Sequence, residues 1–363
     1  MRHFSYYLFE NFDPEVEAKN PENPRNFLTC RADPILSQVA QHPPLTCPAD
    51  TFSPEELILF IRGGILRMQD GVLAFDTPIF LREDAPLLQQ SMREKAVRLV
   101  DLLHPILPEI RRLCSGIPNW FPVEENLYHI LCGMVFDGLF FDFLSRHNAV
   151  ATSRVHPSGL DYLSVLYDDC PELNHFSDGL LCSYNRFTNG HTSLQSFGDA
   201  DGNRFDFYRF SRQIETDTLP EKFASIRSRF QSCPGKDWLL HQTQELYSTG
   251  SCDPEALELL TLFGYAKCRR LCVPVFTNAD RERILKIEEL VEKTIGDAFL
   301  STLSHIPDIT ALRHGVPPKE IANELYHILF GSVNEALVSQ KIVAAPPHIP
   351  GEGRYLRCIE LDL

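Results

Sequence analysis

A chain that states one pattern twice must fold into two related units, and this chain repeats itself about 200 residues apart. Ser53-Pro54-Glu55-Glu56-Leu57-Ile58-Leu59 returns as Asp253-Pro254-Glu255-Ala256-Leu257-Glu258-Leu259, and each segment runs on to a glycine, Gly64 and Gly264. Leu127-Tyr128-His129-Ile130-Leu131 returns as Leu325-Tyr326-His327-Ile328-Leu329. A length of 363 residues is enough for two hydrophobic cores. The expected organisation is a first repeat over 1–170, a connecting β-hairpin segment over 171–202 and a second repeat over 203–363.

Each copy reads as the same series of elements. An aromatic strand opens it, carried by Phe4, Tyr6, Tyr7 and Phe9 in the first copy and by Phe205, Phe207, Tyr208 and Phe210 in the second. Helical stretches follow over 34–41 and 236–247. The clearest helix start comes next: Ser53 suits the N-cap, Pro54 the first helical position, and Glu56 completes a capping box. Asp253-Pro254 repeats the cap and proline, while Ala256 loses the box. Gly63-Gly64 and Gly264 supply left-handed stops.

A hairpin is then expected, with 65–68 and 72–75 flanking Gln69-Asp70-Gly71, and a shorter one over 265–273. The copies meet again at Pro78-Ile79-Phe80 and Pro274-Val275-Phe276. Long helices are expected from near Asp84 and Asp280, then Leu-Tyr-His helices after Pro122 and Pro318, and extended stretches through Tyr162 and Tyr355. Asn189-Gly190 and Asp201-Gly202 read as hairpin turns, the latter within Asp199-Ala200-Asp201-Gly202-Asn203, which lacks the glycine and glutamate positions of a calcium loop.

Composition excludes several classes. The net charge of −15, from 34 Lys+Arg against 49 Asp+Glu, argues against a broad nucleic-acid surface while leaving room for a local basic patch. Eleven cysteines without a CxxC pair point to free thiols in a reducing cytoplasm rather than a disulfide framework or zinc site. The N-terminus lacks the apolar core of a signal peptide. The apolar run 131–144 is interrupted by Asp137 and Asp142 and is short for a bilayer, so no membrane association is expected. No nucleophile elbow, P-loop, zinc-protease motif or dinucleotide fingerprint occurs, so neither an enzyme nor a cofactor is expected.

The order helix, glycine, two-stranded hairpin, long helix resembles a winged-helix DNA-binding domain with its dimerisation helix. The segment from Glu55 to Leu66 is similar to the end of a recognition helix entering the wing in MarR- or ArsR-type regulators, as is its counterpart from Glu255 to Ala266. The resemblance covers roughly 32–82 and 236–278 and implies an α+β, helix-rich fold with an internal pseudo-two-fold repeat of two winged-helix-like modules. It also implies a cytoplasmic, helix-turn-helix transcriptional regulator, possible ligand responsiveness included, with double-stranded DNA as partner. Arg62 and Arg67 in the first copy, and Lys267, Arg269 and Arg270 in the second, would then meet phosphate. The helices themselves depart from the pattern: 53–61 and 253–263 carry glutamates and no basic residue. The alternative is a protein-interaction module on the same scaffold, which binds a protein partner and not DNA.

The repeated pairs Tyr128-His129 and Tyr326-His327 are candidates for two related ligand pockets, the histidine acting as contact or pH-sensitive switch. Against this, a shared core helix would retain the same residues, and neighbours on a helix point about 100° apart, so both rings cannot face one pocket squarely.

Overall fold

The N-cap chemistry of residues 53–56 forms as the sequence demands. In the computed structural model the helix Pro54–Arg62 starts at Ser53, whose side chain accepts from the Glu56 N–H while the Glu56 carboxylate accepts from the Ser53 N–H. Ser53→Ala removes an acceptor for an orphan helix N–H and is expected to cost about 1 kcal/mol of stability, read from urea unfolding. Gly64 follows at φ +65° and ends the helix. The structure describes residues 1–363 except 14, 15, 43, 174–178, 201, 216, 217, 220, 225, 226, 228–234 and 363.

The protein is α+β, about 51% helix and 19% strand. It divides into two compact units, each drawing on both halves of the chain. The first comprises Met1–Leu99, Phe140–Ser177 and Gly296–Leu329; the second comprises Val100–Leu139, Asp178–Ile295 and Phe330–Leu363.

In the first unit, the strand Phe4–Glu10 pairs antiparallel with Asp161–Asp168, in register Tyr6↔Leu166, and Ile79–Phe80 lies parallel on the other side. A smaller sheet orders Cys47–Pro48, Val72–Phe75 and Leu66–Gln69. Its tight turn places Asp70 at φ +52° and Gly71 at φ +76°, the left-handed pair that a two-residue hairpin requires. The helix Ala85–Leu103 then begins just after Asp84, whose Oδ2 accepts from the Leu81 N–H and whose Oδ1 accepts from the N–H and hydroxyl of Thr310, at 2.9 and 3.1 Å.

In the second unit, the sheet order is Val275–Thr277, Gly353–Leu361, Thr192–Asp199 and Leu181–Thr188. Val275–Thr277 runs parallel to Gly353–Leu361, and the other pairings are antiparallel. Gly198 lies where an added Cβ would sit 2.0 Å from the Arg354 carbonyl oxygen, so no side chain fits there. The turn at Asn189-Gly190 joins the last two strands as expected. Asp201 of the second expected turn lies outside the described residues.

Two sequence expectations are corrected. Residues Phe205, Phe207, Tyr208 and Phe210 do not form an opening strand: Phe207–Glu215 is a helix. Phe207, Phe210 and Ile214 recur at helical spacing and are buried, Tyr208 between them is exposed, and Asp206 accepts from the Arg209 N–H at the helix start. The strand that partners the C-terminal one is instead Thr192–Asp199. This helix packs with Gly235–Thr249 and Pro254–Leu262 around Phe263, whose ring lies 4.1 Å from Phe207 and 4.5 Å from Phe205.

The second correction concerns 131–144. These residues belong to a longer helix, Val123–Arg146, of 24 residues with mean hydropathy 1.5, which by length and composition is long enough to cross a membrane. Two thirds of its apolar window is buried within the fold, as in the core helix of a packed domain. Its middle, Tyr128–Leu139, winds in wide π-helical turns.

Candidate functional sites

Each basic residue expected to meet phosphate has a definite environment. Arg62 at the end of its helix pairs with Glu22, 2.8 Å from Nε to Oε1. Arg67 in the first hairpin donates to the carbonyl oxygens of His314 and Gly315 and lies 3.4 Å from Asp76. Arg154 reaches the same corner, donating to Gly64 O, Asp76 and Glu320. The cations around the first hairpin are therefore already bound to oxygen.

The second hairpin, Ala266–Lys267 and Arg270–Leu271, differs. Its turn holds Cys268 at φ +52° and Arg269 at φ +64°, an uncommon conformation for residues with side chains. Lys267, Arg269 and Arg270 are all exposed, and among the described residues no carboxylate stands within ion-pair distance of them. Arg269 and Arg270 edge a groove of about 290 Å³ whose other walls include Trp120, Phe121, Leu271 and Asp280. Trp120 is 74% exposed and stacks on Phe121, ring centroids 4.1 Å apart. Asp280 is 1% exposed: its Oδ2 accepts from the N–H and hydroxyl of Thr277, both at 2.9 Å, and its Oδ1 has no partner among the described residues. A buried carboxylate oxygen without a donor is costly, and this one belongs to a residue that lines the groove.

A larger cavity of about 500 Å³ in the same unit is balanced internally. Its Arg186 lies over the Tyr184 ring at 5.3 Å, His191 sits 3.6 Å from Asp362, and Asn278 donates to Asp362.

The Tyr-His pairs occupy the cores of the two units. Tyr128 is fully buried and donates to the Phe197 carbonyl oxygen at 3.0 Å. His129 lies edge-on to Tyr128; burial drives its pKa down to about 3, opposed by a hydrogen bond with the Arg357 main chain. Tyr326 packs against Phe141, and His327 stacks on Phe9 while Nδ1 donates to the Asn323 carbonyl oxygen at 2.9 Å. Burial lowers the His327 pKa to about 4. None of the four lines the cavities of about 500 and 290 Å³.

Sequence reasoning missed Trp120, Asp280 and the buried Arg204. Trp120 carried one available signal, a tryptophan in a Pro-Asn-Trp-Phe-Pro loop. No cluster of three or more metal-ligating side chains occurs among the described residues, and the described cysteines are free. The chain matches no known protein family model, no curated protein and no solved structure.

Proposed function

We propose that the protein is a regulator built from two winged-helix-like modules, in which the second hairpin alone grips nucleic-acid phosphate. The observation that carries this reading is the exposed, unpaired trio Lys267, Arg269 and Arg270 at the tip of a hairpin entered from the helix Pro254–Leu262. The helix-then-hairpin order in both units, and the sheet order Cys47–Pro48, Val72–Phe75, Leu66–Gln69 in the first, support the winged-helix description. Arg62 and Arg67 drop out of the contact set because their charges are met within the protein.

Binding to random double-stranded DNA fragments should weaken as salt rises, with log K falling about 0.9 per phosphate neutralised. The double variant Arg269→Glu, Arg270→Glu should reduce affinity at least roughly ten-fold at low salt and flatten that slope by about two. Unchanged binding in the variant overturns this reading. A second reading, a protein-interaction module, is favoured by the exposed Glu55, Glu56, Glu255 and Glu258 on the two helices that precede the hairpins. It gains if no fragment binds at any salt.

A further inference from the structure

We infer that the groove beside the second hairpin holds an unpaired nucleotide of a nucleic-acid strand. The base lies on Trp120, and the adjoining phosphate meets Arg269 and Arg270. This rests on reading the second hairpin as a phosphate contact and names what that contact selects.

The two units solve the same local problem differently. Asp84 and Asp280 each cap a chain segment entering a long helix, accepting with Oδ2 from the N–H three residues before. In the first unit the other oxygen is closed by Thr310, which follows Ile306-Pro307-Asp308. In the second unit the loop Ile117-Pro118-Asn119 places Phe121 at the corresponding position. Phe121 has no side-chain donor, and its N–H goes to Asn119 Oδ1 at 3.2 Å. Asp280 Oδ1 is thereby left buried with no partner among the described residues, while Trp120, which lines the same groove, stands in solvent.

The groove therefore asks for two things from one ligand: a flat face for an exposed indole and negative charge for two arginines. A carboxylate ligand would meet the arginines and leave the indole in solvent. A nucleotide supplies both, and only when unpaired, since in a duplex the base faces are stacked on their neighbours.

Trp120 is one of only two tryptophans, so its fluorescence reports the event. The test compares a mixed-sequence DNA strand with the same strand annealed to its complement, using wild-type protein, Trp120→Ala and the Arg269→Glu, Arg270→Glu variant. The single strand should bind more tightly and quench fluorescence, and Trp120→Ala should weaken it roughly ten-fold while leaving duplex binding unchanged. Trp120→Ala binding both forms as wild type does overturns the inference but leaves the phosphate reading standing, provided the arginine variant still loses affinity. Loss of neither form in the arginine variant, or no binding at all, overturns both. Cytidine monophosphate binding as tightly as the strand overturns the strand as ligand.

Discussion

Arg204→Met is expected to lower stability by about 3–5 kcal/mol, the cost of breaking a buried charged network from one side. Arg204 is 1% exposed, and its guanidinium donates to the carbonyl oxygens of Ser196 and Asp199 at 2.9 and 3.1 Å. Asp206, also buried, accepts from Ser196 and Asn185 and supports the positive charge electrostatically. Methionine fills much of the volume but leaves two strand carbonyls without donors and the Asp206 carboxylate without its cation. The urea midpoint of the variant measures the loss; a midpoint within error of wild type would show that water replaces the guanidinium there. Surface changes such as Lys286→Ala, on an exposed i,i+4 pair with Glu282, should shift the midpoint far less.

Acid should destabilise the protein gradually, with a slope of about one proton and no steep step above about pH 4. His129, His314 and His327 are held neutral by burial, with pKa values of about 3, 4 and 4. Each is depressed relative to the unfolded chain, so the unfolded state binds more protons below about pH 6.5 and stability falls as pH drops. Glu324 and Asp137 act in the opposite sense, because burial raises both to about 7. The folded state holds their protons while the unfolded state has released them, so their contribution is lost as pH rises through about 7.

Between about pH 6 and 5 the three histidines outweigh the two carboxyls by one proton, a slope of about 1.4 kcal/mol per pH unit. Below about pH 4.5 the unfolded carboxyls take up protons and the offset fades, but His314 and His327 then protonate in the folded state as well, so the slope stays at about 1.4 kcal/mol per unit. Glu324→Gln isolates one component. Tyr167 donates to Glu324 at 2.5 Å and can donate to glutamine equally. The variant should match wild type near pH 4 and exceed it by about 2–3 kcal/mol at pH 9, where wild type must ionise a buried carboxyl. Equal urea midpoints at both pH values would contradict this.

Local chemistry was legible where it depends on near neighbours. The Ser53 capping box, the Asp70-Gly71 turn and the helix stops at Gly64 and Gly264 are all decided by residues within a few positions, and all form. Patterns that compete across periods were harder to read. Phe205 and Phe207 alternate as a strand would, yet Phe207, Phe210 and Ile214 share a helical face, and the buried cluster around Phe263 rewards the helix. A helix after Pro122 was expected, but not that it runs on through 131–144 to Arg146, because continuity is a property of backbone hydrogen bonds rather than of hydropathy.

For the candidate site the division is sharper. Lys267, Arg269 and Arg270 were readable as a basic turn, since a tight hairpin exposes its tip whatever surrounds it. That Arg67 is spent on the carbonyls of His314 and Gly315, about 250 residues away in sequence, was not readable, because nothing local marks the acceptor. Nor was the fate of two similar aspartates, Asp84 closed by Thr310 and Asp280 left with one buried oxygen unpartnered among the described residues. The sequence by itself determined caps, turns and where positive charge can reach solvent. Only the tertiary structure decided which charges are already neutralised and which buried oxygen still lacks a donor, because those depend on partners that distant parts of the chain bring together.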